Sequence, residues 1–222
     1  MDESNKIVIE NVTESYAGRF LQFLDEQFFT RETLWRTSGR SALPPDLRWH
    51  LSSEKRLSIF QDQLKEGFSL AAIDQVNGNI VGVALNVLCK QSHHQDKQDY
   101  SNLPWKQQVI YSTLDSLGDD YNIFKATGTT IGLELRLLGV HEDYGGKGLA
   151  TLLAKQTIRL AQEHKLGFVE SSPSSPLTSH IFQKLGFKQI KRVLLSEVIF
   201  TGKPGFPYAK QEDSLGFVVL KL

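Results

Sequence analysis

The chain has a single cysteine, Cys89, in 222 residues. An internal disulfide is therefore excluded, and such thiol poverty fits a reducing compartment, so a cytoplasmic location is expected. Net charge is also missing: 25 Lys and Arg balance 25 Asp and Glu. Without a positive excess there is no electrostatic case for a nucleic-acid partner. No apolar run approaches the roughly 20 residues of a transmembrane helix. The opening Met1-Asp2-Glu3-Ser4-Asn5-Lys6 is polar and lacks the apolar stretch of a signal peptide. No membrane association is expected. Internal repeats and low-complexity tracts are absent. His93, His94 and His141 have no Cys or carboxylate at ligand spacing, so no metal is expected. What remains is 40% hydrophobic and 23% charged, the balance of a globular protein, and the length suits one domain spanning residues 1–222.

Strand and helix patterns alternate along the chain. Ile7–Val12 reads as a strand, and Thr13-Glu14-Ser15 offers capping chemistry for a helix running through Phe20, Leu21, Phe23, Leu24 and Phe28. A loop is expected over 37–46. A second helix is expected from Ser52 through Leu57, Phe60 and Leu64 to a stop near Gly67. Ser69–Ile73 and Ile80–Leu88 are β-rich and flank an Asn77-Gly78 hairpin turn. Residues 91–104 read as a polar loop, and Trp105–Leu117 has helical spacing. Further strands are expected at Ile131–Val140, Gly167–Ser171, Phe187–Val198 and Gly216–Leu222, with helices from Leu149 and near Ser179–Leu185. Lys203-Pro204-Gly205-Phe206-Pro207 reads as a turn-rich linker. One clear crossover beside a hairpin predicts an α/β fold with a mixed, mostly antiparallel sheet.

The most informative segment is Leu137-Leu138-Gly139-Val140-His141-Glu142-Asp143-Tyr144-Gly145-Gly146-Lys147-Gly148-Leu149-Ala150. It is a strand running into a glycine-rich turn that opens a long helix. Such a junction aims free backbone N–H groups and the positive end of the helix dipole at one spot, which suits a phosphate or pyrophosphate. Two nucleotide motifs fail. A P-loop needs Ser or Thr after its Lys, where Gly148 stands, and a Rossmann turn needs Gly at Thr151.

This segment resembles motif A of the GNAT acetyltransferase superfamily, Arg/Gln-x-x-Gly-x-Gly/Ala. Gly148-x-Ala150 matches its end, while Gly145 stands where the family has Arg or Gln. A second segment, His180-Ile181-Phe182-Gln183-Lys184-Leu185-Gly186-Phe187, resembles motif B, in which many members read Phe-Tyr-Glu-Lys-Leu-Gly-Phe. A finer resemblance is to the insect arylalkylamine N-acetyltransferases. Phe28-Phe29-Thr30-Arg31-Glu32-Thr33-Leu34 is similar to their Phe-Phe-x-x-Glu-Pro-Leu segment, with Thr33 in place of Pro. Ser171–Ser179 is similar to their hydroxyl-rich loop.

The resemblance implies a GNAT fold, a central mixed sheet flanked by helices, with acetyl-CoA as co-substrate. It implies cofactor contacts from Leu138, Gly139 and Val140 on the strand and from Gly145, Gly146, Lys147, Gly148, Leu149 and Ala150 in the turn. The expected reaction is acetyl transfer to a small primary amine, an arylalkylamine, by direct attack in a ternary complex. A polyamine, agmatine-like or protein amine is the alternative acceptor, and a non-catalytic acyl-CoA-binding module the alternative function. An ammonium must lose a proton before it can attack, and a carboxylate can take it. Glu32 is the first candidate base by resemblance to the insect segment, and Glu134, on the strand before motif A, the second. The superfamily's motif B Tyr is Phe182 here, which cannot donate a proton. That shifts the expected acid to a loop hydroxyl, Ser174 or Thr178, with Ser175 and Ser179 as alternatives. Tyr16 and the Phe/Trp-rich first third are mostly core, with some rings expected at an amine pocket. Cys89 has no His partner that would support a ping-pong route.

Overall fold

Residues 7–39, 52–93 and 99–222 are described by the computed structural model. Trp49, His94 and most of the expected 37–46 loop lie outside them. The strands are β1 (Ile7–Val12), β2 (Ser69–Asp74), β3 (Ile80–Lys90), β4 (Ile131–Val140), β5 (Phe168–Ser171), β6 (Lys188–Leu194), β7 (Ile199–Phe200), β8 (Lys203–Pro204) and β9 (Ser214–Lys221). Seven of them form one sheet in the order β1-β2-β3-β4-β5-β9-β6. Only β4 and β5 run parallel; the other neighbours are antiparallel. The expected mixed, mostly antiparallel sheet is therefore present. Gly78, at φ +73°, makes the β2–β3 turn, its N–H donating to the Asp74 carbonyl at 2.7 Å.

The helices are α1 (Ala17–Phe23), α2 (Thr33–Thr37), α3 (Ser53–Leu64), α4 (Trp105–Ser116), α5 (Ile123–Thr127), α6 (Leu149–Glu163) and α7 (Pro176–Lys184). They cover the sheet on two faces. Leu133, Leu135 and Val169 pack with Ala154 and Ala161 of α6 and Phe182 of α7. On the other face Val83 and Leu85 pack with Phe20 and Phe23 of α1 and Phe60 of α3, and Phe168 packs with Val109 and Phe124 of α4 and α5. Inside the α6 face, Asn86 of β3 donates to Thr157 Oγ1 at 3.0 Å and to the Phe68 carbonyl at 2.9 Å. This buried polar contact fixes the height of α6 against the sheet.

The long first helix expected from Thr13 to Phe28 is broken into three. A 3-10 turn at Glu14–Tyr16 leads into α1, and a π-helical turn at Leu24–Phe28 follows it. Thr13 makes no side-chain cap. Arg56 of α3 grips the π turn through a buried ion pair to Asp25 at 2.6 Å. The strand expected over Phe187–Val198 is likewise shorter: β6 stops at Leu194 and a 3-10 turn, Leu195–Glu197, follows. The 203–207 stretch holds β8 of a two-strand ribbon instead of a plain linker. Tyr208 N–H then donates to the Thr37 carbonyl at 3.1 Å and Asp213 pairs with Arg36 at 2.8 Å, so this tail ties down α2.

Candidate active site

β4 and β5 pair only at Leu133–Val169 and Glu134–Glu170. Ser171 ends the pairing by turning its hydroxyl onto the Leu135 carbonyl at 2.7 Å. Beyond it the strands part. His141 N–H still donates to Val81 on β3, so by the alternation of an antiparallel ladder Val140 and Leu138 turn their N–H and C=O groups away from β3, toward the gap. Arg31 enters from that side and donates to the Val140 carbonyl at 3.0 Å. The N–H groups of Leu138 and Val140 remain directed into the opening.

A cavity of about 220 Å³ occupies this opening, walled by Phe28, Arg31, Glu32, Leu138, Ser174 and Thr178 among others. The π turn brings Phe28 there. Glu32 follows as the N-cap of α2, its Oε2 accepting from Trp35 N–H at 3.0 Å. Its other oxygen accepts from the Ser174 hydroxyl, 142 residues away in sequence. Burial pushes the Glu32 pKa above its ordinary 4.5, against the opposing pull of the Ser174 and α2 backbone hydrogen bonds. The carboxylate therefore holds a proton more readily than a solvated one.

Ser175, Thr178 and Ser179 are engaged in capping. α7 begins at Pro176, three residues before the expected start. Ser175 is its N-cap and accepts from Thr178 N–H at 3.1 Å; Thr178 Oγ1 lies 2.8 Å from Ser175 Oγ, and Ser179 donates to the Ser175 carbonyl. Thr178 borders the cavity without touching Glu32. Phe182 is fully buried beside Phe187, away from the cavity. Gly186, at φ +89°, closes α7 with Phe187 N–H donating to the Phe182 carbonyl at 3.0 Å.

At the end of β4 the chain makes a 3-10 turn (Glu142–Tyr144) and reaches α6 through Gly145–Gly148. Gly146 and Gly148 have φ of +72° and +77°, and a Cβ at either would meet no protein atom within 4 Å. Open space therefore faces both. Gly145 is extended at φ −63°, so its place in the turn does not depend on positive φ. The first helical bond runs from Leu152 N–H to the Gly148 carbonyl, which leaves the N–H groups of the first turn free for an anion. Lys147 lies over the Tyr144 ring at 5.2 Å.

The profile of the acetyltransferase (GNAT) family matches residues 31–187. The chain belongs to the GNAT family. The match runs from Arg31, at the cavity, to Phe187, just past the α7 cap. Members of this family use acetyl-CoA as co-substrate, and the parted strands and glycine turn fit such a molecule.

Solved structures share this fold over nearly their whole lengths. Arylalkylamine N-acetyltransferase 2 from Aedes aegypti superposes with a TM-score of 0.79 at 20% identity, covering 98% of this chain and 99% of that one. A Drosophila melanogaster polyamine N-acetyltransferase, described as forming N-acetylagmatine, gives 0.80 at 17% identity, covering 98% and 100%. A mosquito arylalkylamine N-acetyltransferase-like protein gives 0.76 at 14% identity, covering 98% and 100%. At these identities the likeness is one of GNAT fold.

Glu134 is not brought to the cavity. Arg136 donates to its Oε2 from Nε at 3.0 Å and from Nη2 at 2.5 Å. The adjacent Glu170 accepts from the Cys89 thiol at 3.2 Å. Burial, then the Glu134 charge, lifts the Glu170 pKa to about 7, and the same surroundings hold the Cys89 thiol well above its usual range. Glu170 was missed in the sequence, although an acid in the otherwise apolar β5 was the available signal. Because the folded state raises the Glu170 pKa above 4.5, its stabilising contribution is full below 4.5 and is lost as pH rises through about 7. Glu170→Gln removes that loss. Above pH 8 the variant is expected to exceed the parent in stability by about 1–2 kcal/mol, some 2–8 °C in Tm. Thermal melts at pH 5 and 8.5 check this; an unchanged difference between the two pH values would rule it out.

Proposed function

We propose that the chain transfers the acetyl group of acetyl-CoA directly to a small primary amine, with Glu32 as general base and Ser174 as its proton relay. The observation that carries this is the Ser174–Glu32 hydrogen bond in the cavity where β4 and β5 part. When bound, acetyl-CoA supplies an activated thioester carbonyl. The turn from Gly145 to Ala150 takes its pyrophosphate, and Leu138, Gly139 and Val140 align its arm along β4. The N–H of Leu138 donates to the carbonyl oxygen as negative charge builds there. Ser174 accepts a proton from the acceptor nitrogen while passing its own to Glu32. The nitrogen lone pair forms the C–N bond as the C–S bond breaks. Of the two protons the ammonium gives up, one ends on the departing sulfur and one reaches solvent. A CoA thiol near its ordinary range needs little acid help, and the same Glu32–Ser174 pair can return a proton to it. No tyrosine at position 182 is required.

The resemblance to insect enzymes favours an arylalkylamine acceptor, and Phe28 offers a ring at the cavity wall. Tyr16 does not contribute: its hydroxyl points to Glu10 at 3.3 Å, with Arg19 over its ring. CoA release from acetyl-CoA across a panel of aryl, alkyl and polyamine acceptors tests the proposal, and no release with any amine defeats it.

The relay has its own signature. Ser174 holds the Glu32 pKa down, so Ser174→Ala lets that pKa rise further. The acidic limb of the kcat/KM profile is expected to move to higher pH, with turnover lowered less than by loss of Glu32. Thr178→Ala, which loses a cap partner, is expected to lower turnover less than Ser174→Ala does. An unmoved limb in the Ser174 variant argues against the relay.

A further inference from the structure

The stretch that faces the phosphate does not hold itself in shape. Gly146, Lys147 and Gly148 donate their N–H groups to no acceptor among the described residues, and a phosphate cradle needs those groups free. Gly146 and Gly148 have positive φ, and glycine loses more conformational freedom on ordering than any other residue. An ordered cradle therefore has to be fixed from its two ends. Downstream it is fixed by α6, whose Leu149 and Leu153 pack with Leu70 of β2 and Ala84 of β3.

Upstream the fixed point is Tyr144, the last residue of the 3-10 turn. Its hydroxyl donates to Asp74 Oδ2 at 2.5 Å, 70 residues back in the chain. Asp74 closes β2 and is held by three further bonds. Its Oδ1 accepts from Val76 N–H at 2.8 Å, its N–H donates to the Asn79 carbonyl at 3.0 Å, and its carbonyl accepts from Gly78 N–H. Arg19 of α1 donates to the Gly78 carbonyl, which pins this hairpin to α1. One hydroxyl thus ties the glycine turn to a rigid hairpin. The Tyr144 ring has a second task. Lys147 Nζ lies over it at 5.2 Å and donates to the Asp143 carbonyl at 3.2 Å. An ammonium has three donors, so two remain for phosphate oxygens. Because the hydroxyl anchors the ring, Asp74 also sets the place of the Lys147 charge.

We infer that Asp74 and Tyr144 are positioning residues for the cofactor, a brace that holds the glycine turn in its phosphate-binding shape before the ligand arrives. This rests on the reading of the Gly145–Ala150 turn as the pyrophosphate site. Without the brace, ordering the turn opposes binding, and affinity falls although no group that touches CoA has been removed. The sign is diagnostic. Asp74 is an anion near an anion site, so by charge alone its removal tightens CoA binding. The brace requires the opposite.

The test measures the calorimetric Kd for CoA, and the KM values for acetyl-CoA and one good amine, in Tyr144→Phe, Asp74→Ala, the double variant and Asp74→Asn. Tyr144→Phe keeps the ring under Lys147 and loses only the hydroxyl. It is expected to weaken CoA about three- to tenfold and to raise the KM for acetyl-CoA alike, with kcat and the amine KM within about twofold of the parent. Asp74→Ala is expected to weaken CoA by a similar factor, and the double variant by no more than either single one, because both remove the same bond. Asp74→Asn can still accept from Val76 N–H and bond the Tyr144 oxygen through its amide, so it keeps at least parental affinity. CoA affinity within about twofold of the parent in Tyr144→Phe, or single losses that multiply in the double variant, overturns the inference. Asp74→Ala also loses a hairpin bond; if it fails to fold, Tyr144→Phe and Asp74→Asn decide. Gly148→Val separates the two readings. Parental CoA affinity there removes the turn from the phosphate site and the brace with it, whereas weakening there with none in Tyr144→Phe removes the brace alone. If CoA binding responds as expected but no amine yields CoA, the brace stands and the acyl-transfer reading falls.

Discussion

Replacing Glu32 by Gln is expected to lower kcat/KM by roughly 10²–10⁴-fold and to abolish the acidic limb of its pH profile. Gln is the informative choice because Glu32 has two duties. Its Oε2 caps α2 through Trp35 N–H, and an amide oxygen can still accept that bond. Glu32→Ala removes the cap as well, at about 1 kcal/mol of stability, and so mixes folding with chemistry. A general base acts only when ionised, so activity is expected to decline as pH falls through the raised pKa of Glu32. In the Gln variant no carboxylate remains to titrate there. A loss of less than about tenfold with the limb intact would remove Glu32 from the base role. Glu134, already paired with Arg136, would not be its natural successor.

The second large effect is expected at Gly148. A valine there must adopt φ near the present +77°, which costs at least about 1–2 kcal/mol for a residue bearing a Cβ. Among the described residues nothing beyond its own stretch of chain lies within 4 Å of the added Cβ, so a further penalty is expected from the ligand that approaches this space. CoA affinity is expected to drop tenfold or more, about 1.4 kcal/mol. Gly148→Ala keeps the φ strain with less bulk and should weaken CoA less. Calorimetric titration with CoA, together with a thermal melt, separates the two contributions. A folded Val variant with parental Kd would remove the turn from the pyrophosphate site.

The features legible in the sequence were local ones. Strand, glycine turn and long helix follow from hydrophobic period and from Gly146 and Gly148, and the Leu-Gly-Phe cap from Gly186. Five-residue helices such as α2 and α5 contain barely one turn, too little for a period to show. The π turn at Leu24–Phe28 has no composition of its own; it is held by Asp25–Arg56 and by packing between distant segments. The candidate site was half legible. Glu32 and Ser174 could each be nominated from their own segments, but their contact arises where β5 diverges from β4, a property of sheet topology. Glu134 stood second: strand alternation already puts Arg136 on its face, but nothing in the sequence shows that Glu170 joins them.

The π turn has one more consequence. A π turn holds one residue more than the α-helical turn it replaces, so it sets the rotational phase of everything downstream. Deleting a single residue from Leu24–Phe28 would let a regular helix run on. Each side chain after the deletion would swing by about 100° and shift about 1.5 Å along the axis. Phe28 would leave the cavity wall, Arg31 would lose the Val140 carbonyl, and Glu32 would point away from Ser174. Chain length in this turn is therefore as much a determinant of the site as the identity of Glu32 itself.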